Sequence, residues 1–415
     1  MSTRWPSQRA FGIALLAIVA AGVVIRVLYT LIEAPTPATS LNDEFYFSAL
    51  PKLLADGHGW VAPADFVFNH IDRPTAEHPP LYTVVLWGLA ELGGRSATLQ
   101  ALTGTVFGAG TIALVGLLGR RVAGERAGLI AAALAALYPT LVAADGALMS
   151  ESLFGLLTAA MLLLAYRLVD EPGVGRAVAL GAVAGLAALT RGEALLLLLL
   201  VLVPVLRRPA GVRAALVALA ALVVVLTPWT VRNWIELDQP VLIATNSGSA
   251  IGGANCDATY HGPELGFWRL ECVGSKPGNE ADVLGAARTR GIHYARDHAG
   301  RLPVVLAARL GRVWTVYHPF QRPEGRSSRV NKLGVICFFL LLPFAVAGVV
   351  LLRRRSDPVW ILLMPFVAVS VTALATYGNM RFRESAELSL VVLAAVALDS
   401  LWRSRAAPVQ QAARA

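Results

Sequence analysis

The chain has 415 residues, of which 56% are hydrophobic and only 15% are charged, and its mean hydropathy is +0.60. These values exclude an ordinary water-soluble domain and indicate a helical protein that crosses a membrane several times. The net charge of +9 does not indicate a nucleic-acid partner, because the arginines lie at the ends of apolar runs. Arginine collects in this way at the cytoplasmic ends of membrane spans.

Ten apolar runs are candidate membrane spans. They cover residues 11–32, 98–118, 127–143, 147–166, 177–190, 193–206, 214–231, 333–352, 358–377 and 385–402. Clusters of basic residues flank or separate them, and the positive-inside rule places those clusters in the cytoplasm. Ten crossings put an even number of spans between neighbouring clusters. We therefore predict an all-α polytopic membrane protein with about ten transmembrane helices and both termini in the cytoplasm.

Two further apolar stretches, 80–93 and 303–319, would break this parity if either crossed the membrane alone. We expect them to lie as juxtamembrane helices at the outer face, or to re-enter the membrane. Three regions are then predicted. Residues 1–235 form a catalytic transmembrane module with its first outer loop at 33–97, residues 236–332 form an extracytoplasmic loop region with an interfacial helix, and residues 333–415 form the C-terminal transmembrane helices and a cytoplasmic tail.

The turn at Arg191-Gly192-Glu193 is expected to lie below the outer membrane surface. Residues 177–206 must cross twice, which leaves about fifteen residues, or about 22 Å, for each crossing. That length is short of a hydrocarbon core of about 30 Å. Charged side chains at such a depth need pairing or hydration, and a water-filled cavity open to the outside would supply the hydration.

An acidic pair, Asp43-Glu44, follows the first predicted span and begins an amphipathic stretch that contains Tyr46. The apolar positions of this stretch recur at helical spacing, which indicates a helix lying along the membrane surface. Two carboxylates at the start of such a helix can be catalytic. They can also belong to an ordinary N-terminal cap made by Asn42 or Asp43, and the two roles do not exclude each other.

Polar residues at the ends of the other outward segments complete the candidate site. His78 precedes two prolines and can contact a phosphate or a hydroxyl, although a lone histidine at an interface is common. Asp145 and Glu151 bracket a turn, where either can cap a helix or face a cavity. Arg381 and Arg383 begin the last span against the positive-inside trend. They can bind an anionic lipid phosphate or pair with neighbouring glutamates.

Cys256 and Cys272 share one polar loop, whereas Cys337 lies in an apolar run. A disulfide between the first two is expected if their loop faces an oxidising compartment, and two free thiols are the alternative. Such a bridge would contribute roughly 3 kcal/mol to stability.

A series of short motifs follows along the chain: Asp43-Glu44-Phe45-Tyr46-Phe47-Ser48-Ala49-Leu50, Leu54-Ala55-Asp56-Gly57-His58-Gly59, His78-Pro79-Pro80-Leu81-Tyr82, Gly119-Arg120-Arg121 with Arg126-Ala127-Gly128, Leu189-Thr190-Arg191, Thr227-Pro228-Trp229-Thr230-Val231-Arg232-Asn233-Trp234 and Arg381-Phe382-Arg383. In this order they resemble the GT-C glycosyltransferases. The resemblance is to the family 39-like branch, which includes the protein O-mannosyltransferases and the bacterial lipid A aminoarabinose transferase. It extends over nearly the whole chain and implies the GT-C fold.

The resemblance implies a polyprenyl-phosphate-linked sugar as donor and inverting attack at its anomeric carbon, outside the plasma (inner) membrane. It implies Asp43 as the general base, with Glu44 supporting it. The residues expected to bind the donor phosphate are Arg191, Arg381, Arg383 and His78. The residues expected to bind the acceptor or support the site are Tyr46, Asp145, Glu151 and Glu193.

The resemblance implies no cofactor. A divalent metal has room beside the carboxylates, but no zinc-ligand spacing or phosphate-binding loop occurs in the sequence. The expected partners are the polyprenyl-phosphate sugar, membrane lipids, and an acceptor that is a lipid, a glycan or a protein. A transporter or lipid flippase is the alternative function. The lack of an internal repeat and the position of the carboxylates outside the first span argue against that alternative.

Overall fold

The computed structural model describes residues 8–33, 42–274, 278–321, 326–355 and 357–412. Within these residues nearly all regular structure is helical, and one isolated antiparallel bridge joins Val61 to Pro74. The prediction of an all-α polytopic membrane protein is confirmed.

The helices follow one another along the chain without a sheet between them. In order they are α1 (Gln8–Ile32), α2 (Asp43–Ala55), α3 (Pro63–Asn69), α4 (Leu81–Glu91), α5 (Ala97–Ala101), α6 (Thr103–Ala123), α7 (Glu125–Leu137), α8 (Pro139–Gly146), α9 (Glu151–Asp170), α10 (Val174–Ala188), α11 (Ala194–Leu206), α12 (Gly211–Leu237), α13 (Asn246–Ala254), α14 (Asp257–Tyr260), α15 (Glu280–Asp297), α16 (Leu302–Val313), α17 (Ser328–Arg354), α18 (Trp360–Ala375) and α19 (Glu384–Ala412). Short 3-10 turns lie at Gly262–Glu264, Leu270–Cys272 and Met380–Arg383.

Each of the ten predicted spans coincides with a helix or a helix pair. Among the described residues, six helical segments are long and apolar enough to cross a membrane, and the pair α7 and α8 is a seventh if its 55° bend lies within one span. The other three predicted spans are α10, α11 and α18, which have 15, 13 and 16 residues. These three reach about 20–24 Å, shorter than an average hydrocarbon core.

The short helices α10 and α11 agree with the expected lengths on either side of the Arg191-Gly192-Glu193 turn. The depth of that turn in a membrane stays a prediction. The helices α4 and α16, which cover the two extra apolar stretches, have 11 and 12 residues. At about 17–18 Å neither can cross a bilayer by itself. Their place at the outer face and the division into three regions stay predictions.

Small residues bring the helices of the bundle close together. A Cβ added to Gly181 in α10 would collide with the backbone carbonyl of Ala218 in α12. Such close approach of two backbones is typical of helix contacts in membranes, where packing rather than the hydrophobic effect holds helices together. The largest cluster of buried apolar residues extends from α1 through the helices of the bundle to α19.

Arg26 of α1 stabilises the break between α7 and α8. Pro139 has no N–H group, so the carbonyl of Ala135 loses its usual helical partner. The guanidinium of Arg26 donates to the carbonyl oxygens of Ala135 and Ala136 at 3.1 and 3.0 Å. Its Nε donates to Oδ2 of Asp145 at 2.6 Å, and both side chains are buried. Asp145 thus balances the charge of the arginine that satisfies the broken helix.

We expect Asp145→Leu to destabilise the protein by about 3 kcal/mol, because it leaves Arg26 charged and unpaired in the interior. Thermal unfolding in detergent should show a lower Tm and a lower folded yield. The double variant Arg26→Leu with Asp145→Leu removes both charges and should recover part of the loss. A double variant less stable than Asp145→Leu would contradict this account.

Candidate active site

The guanidinium of Arg381 joins two carboxylates from distant parts of the chain. Its Nε donates to Oε1 of Glu151 at 2.8 Å, and its Nη2 lies 3.0 Å from Oδ2 of Asp43. The side chain of Glu151 is 2% exposed, whereas that of Asp43 is 32% exposed. Arg381 therefore links a fully buried carboxylate to a partly exposed one.

A second guanidinium, that of Arg191, shares the buried carboxylate. Its Nη1 donates to Oε1 of Glu151 at 3.0 Å and its Nε donates to Oε1 of Glu193 at 2.9 Å. Its Nη2 makes no hydrogen bond with another described side chain or carbonyl. Two arginines thus lie on one buried carboxylate, and positive charge is concentrated around it. We call the following six residues the Arg381 cluster: Asp43, His78, Glu151, Arg191, Glu193 and Arg381.

The start of α2 directs Asp43 toward this cluster. Oδ1 of Asn42 accepts the backbone N–H of Phe45 at 3.0 Å and makes the N-terminal cap. Of the two capping residues that the sequence allowed, Asn42 therefore takes the role and the carboxylate of Asp43 is available to Arg381. The side chains of Tyr46 and Leu50 on α2 are buried against α4 and hold α2 in place.

His78 is placed beside Asp43 and Arg191 by ring packing and by one backbone hydrogen bond. Its imidazole lies 4.6 Å from the ring of Tyr46, and its Nε2 lies 3.6 Å from Oδ1 of Asp43. The N–H of Leu81 donates to the carbonyl of Leu189 at 2.8 Å, which ties the end of the His78 segment to the end of α10. The turn that begins at Arg191 follows directly.

The electrostatic environment sets different charges on these groups. Burial opposes ionisation of Asp43, but His78 and Arg381 outweigh this effect and hold the pKa of Asp43 below its ordinary value. Burial lowers the pKa of His78, so that its imidazole is neutral at pH 7. Burial raises the pKa of Glu44, and the nearby Arg381 opposes that rise. At neutral pH the site presents a charged carboxylate next to a neutral imidazole.

Two candidate residues lie in other ion pairs. Asp145 holds Arg26, and Arg383 is fully buried against Glu387. Nε of Arg383 donates to Oε1 of Glu387 at 2.6 Å and Nη1 donates to the hydroxyl of Thr315 at 2.9 Å. Pairing with a neighbouring glutamate was the alternative to phosphate binding, and the structure has this arrangement. It does not bring Asp145 or Arg383 into the Arg381 cluster.

The sequence interpretation missed Glu280, the first residue of α15. Its Oε1 accepts the backbone N–H of Ala76 at 2.9 Å and the hydroxyl of Thr245 at 2.6 Å. Its Oε2 accepts the hydroxyl of Thr75 at 2.5 Å. Glu280 therefore fastens the segment before His78 to α15 and to the start of α13. A glutamate in the first turn of a helix is so common that the sequence carries no signal for this role.

Arg232, at the end of α12, holds the same segment from another side. Its Nη1 donates to the carbonyl of Thr75 at 2.7 Å and its Nη2 donates to the carbonyl of Trp60 at 3.1 Å. The guanidinium also lies 5.0 Å from the ring of Trp229. The segment from Trp60 to Thr75 is thus held by a group that lies far along the chain.

Cys256 and Cys272 form a disulfide with their Cα atoms 6.1 Å apart, the first of the two alternatives that the sequence allowed. The bridge closes part of the loop between α13 and α15. In the part of the chain that the structure describes, no group of three or more histidine, cysteine, aspartate or glutamate side chains is arranged to hold a metal ion.

Glu77, beside the cluster, gives a test of these electrostatics. Burial, with Glu280 and Asp43 nearby, raises the pKa of Glu77 to about 8 from its ordinary 4.5. Between these values the folded protein keeps a proton that the unfolded chain has released. The free energy of unfolding should therefore fall as the pH rises through this window. The Glu77→Gln variant has a neutral side chain at position 77 at every pH. Its Tm should therefore depend less on pH between about pH 5 and pH 8.

The matched control is Asp297→Asn, at an exposed carboxylate at the end of α15, which should leave the pH dependence as in the unsubstituted protein. Equal slopes of Tm against pH in the Glu77→Gln variant and the unsubstituted protein would contradict the assignment of a protonated Glu77.

Residues 77–234 match a family model described as dolichyl-phosphate-mannose-protein mannosyltransferase. This segment includes His78, Glu151, Arg191 and Glu193 of the Arg381 cluster. A comparison with curated proteins finds no match.

The fold is similar to that of several solved membrane enzymes. An oligosaccharyltransferase, AglB from Archaeoglobus fulgidus, in complex with an inhibitory peptide and a dolichol-phosphate, aligns with a TM-score of 0.55 at 17% identity. The same kind of enzyme from Archaeoglobus fulgidus, tethered to an acceptor peptide, aligns with a TM-score of 0.57 at 15% identity. Each alignment covers 94% of this chain and 50% of the other, so this chain spans about half the length of those enzymes.

ArnT from Cupriavidus metallidurans, bound to undecaprenyl phosphate, aligns with a TM-score of 0.48 at 16% identity and covers 92% of this chain and 77% of its own. The TM-scores above 0.5 establish a shared arrangement of helices with the archaeal enzymes. The family match covers residues 77–234, which is less than half of the chain, and the structural alignments at 15–17% identity add a shared fold to it.

Proposed function

We propose that this protein transfers a sugar from a polyprenyl-phosphate donor to an acceptor hydroxyl at the outer face of the plasma (inner) membrane. The observation that carries the proposal is the guanidinium of Arg381 held between Asp43 and Glu151, with Arg191 beside it. This geometry puts an acceptor of hydrogen bonds next to two cations suited to a phosphate. The name of the matching family and the dolichol-phosphate bound by AglB support a lipid phosphate as the donor group.

In this proposal Asp43 orients the acceptor hydroxyl and takes its proton. The hydroxyl oxygen attacks the anomeric carbon, and the bond between that carbon and the donor phosphate oxygen breaks, its electron pair leaving with the phosphate. Because its pKa is lowered, Asp43 is a weak base before attack. Proton transfer becomes favourable as positive charge develops on the attacking oxygen. Attack opposite the phosphate inverts the anomeric centre.

Arg191 and Arg381 are proposed to bind the leaving phosphate. Their hydrogen bonds to Glu151 fix both guanidinium planes before the substrate arrives, so little reorganisation is needed during the reaction. The planar donors of arginine match two phosphate oxygens at once. The neutral imidazole of His78 can donate one more hydrogen bond to the phosphate or receive the proton from Asp43.

The remaining candidates are proposed to position these groups. Glu193 orients Arg191 through the hydrogen bond to its Nε. Tyr46 packs edge-on against the imidazole of His78, and Glu44 adds a carboxyl group next to the base. No intermediate on the enzyme is needed, because the acceptor attacks the donor directly.

The proposed acceptor is a lipid, a glycan or a protein, and membrane lipids surround the bundle. The proposal puts residues 33–97 and 232–332 outside the cell, because the basic clusters lie at the opposite ends of the spans. The Cys256–Cys272 bridge in the second of these segments fits an oxidising compartment.

We expect Asp43→Asn to lower transfer of radiolabelled sugar from polyprenyl phosphates by roughly 10²–10⁴-fold, the usual contribution of a general base. The variant and the unsubstituted protein are compared in membranes at equal expression, and each is assayed with the same panel of donor sugars. The control is Asp56→Asn, at a half-exposed carboxylate near the end of α2 that pairs with Arg95.

Turnover in Asp43→Asn equal to that in the unsubstituted protein would contradict the role of Asp43 and leave Glu44 or Glu151 as the base. An unsubstituted protein that turns over no donor would contradict the proposed function itself. That result would favour the transporter interpretation.

The two arginines of the 380–383 turn should behave differently. Arg381→Lys keeps the charge but cannot bridge Asp43 and Glu151, so we expect turnover per folded molecule to fall by roughly 10²-fold. Arg383→Lys disturbs the buried pair with Glu387, so we expect a lower Tm with turnover per folded molecule largely kept. Turnover measured against the folded fraction separates the two effects, and equal losses of turnover in both variants would contradict the assignment.

A further inference from the structure

A cavity of about 710 Å³ lies next to the Arg381 cluster, although no residue of the cluster itself lines it. Its lining includes Pro79, which follows His78, and Gly192, which lies between Arg191 and Glu193. The cavity therefore meets the backbone at both turns that carry cluster residues. Its volume is in the range of pockets that hold small organic ligands.

The two walls of the cavity are rich in groups that form hydrogen bonds. One wall is the segment 239–248, with Asn246 and Ser247 at the start of α13. The other wall is the segment 281–289 of α15, with Arg288 and Thr289. Apolar side chains, such as that of Leu242, lie between these polar groups. Amides, hydroxyls and a guanidinium beside aliphatic patches suit the hydroxyl groups and the C–H faces of a carbohydrate.

The same lining does not suit a polyprenyl chain. A hydrocarbon tail cannot hydrogen-bond, so it would separate the side chains of Asn246, Ser247 and Arg288 from water without replacing the lost bonds. A polar group that is buried without a partner destabilises the complex. A carbohydrate offers hydroxyl groups that can both donate and accept.

The cavity wall is fastened to the catalytic segment. The N–H of Thr245 donates to the carbonyl of Ala76 at 2.9 Å, and the N–H of Asn246 donates to the carbonyl of Glu77 at 3.2 Å. Glu280 binds this junction from α15 through the hydroxyl of Thr245. A ligand between the two walls would therefore be held at a fixed position relative to the residue that follows, His78.

We propose that this cavity binds the acceptor, and that the acceptor is a carbohydrate whose reactive hydroxyl reaches Asp43 past Pro79 and Gly192. The assignment rests on the proposed function. Among the lipid, glycan and protein acceptors that the sequence allows, it selects a glycan or the sugar part of a glycolipid.

The test is to fill the cavity without disturbing the helix that lines it. Gly285 of α15 lines the cavity, and a Cβ added there meets no atom within 4 Å. Gly285→Leu therefore places a side chain in open space. Gly155 of α9 also has no atom within 4 Å of an added Cβ and does not line the cavity, so Gly155→Leu is the matched control.

The measurement uses a labelled polyprenyl-phosphate sugar that the unsubstituted protein turns over, in membranes with their endogenous acceptors. Two products are counted: label transferred to membrane glycan and glycolipid, and free sugar released when water replaces the acceptor. We expect the ratio of transfer to release to fall at least tenfold in Gly285→Leu and to stay unchanged in Gly155→Leu. Because the donor is used in both products, the ratio isolates acceptor binding.

A ratio in Gly285→Leu equal to that of the unsubstituted protein overturns the assignment. If both products fall together, the cavity holds the donor instead. An unsubstituted protein that neither transfers nor releases sugar overturns the proposed function, and the acceptor assignment with it. Ser247→Leu fills the cavity from the opposite wall and gives the same test if Gly285→Leu does not fold.

Discussion

One arginine bridging two carboxylates is the interaction on which the rest of this structure depends. Arg381 begins the last transmembrane helix, Glu151 begins α9, and Asp43 begins the surface helix α2. A charged group inside a helical bundle costs several kcal/mol unless it is paired and hydrogen-bonded. The pairing therefore requires three helix starts to meet at one point, and it fixes where α2 lies on the bundle.

Short helices make this meeting possible. Because α10 and α11 have only 15 and 13 residues, the turn between them is placed where Arg191 reaches the carboxylate of Glu151. The backbone hydrogen bond from Leu81 to Leu189 then brings the His78 segment to the same turn. The helix bundle thus provides Arg191 and Arg381, and α2 provides the carboxylate of Asp43.

The sequence predicted the helices and named all six residues of the cluster, but not the pairing of every charge. Arg381 and Arg383 are two residues apart, and side chains at that spacing do not face the same side of a helical turn. One therefore reaches the cluster and the other turns into the bundle. Asp145 meets Arg26 only because Pro139 breaks a helix and frees carbonyl groups. The apolar runs carry no information on such contacts between distant residues.

The most direct test of the account is the position of the donor phosphate in a structure of the protein with a polyprenyl phosphate bound. The account predicts phosphate oxygens within hydrogen-bond distance of the guanidinium groups of Arg191 and Arg381. It also predicts that the carboxylate of Asp43 faces the open side of the site, toward the cavity. A phosphate bound elsewhere would contradict the account, if Arg191 still contacts only Glu151 and Glu193 and Arg381 still contacts only Glu151 and Asp43.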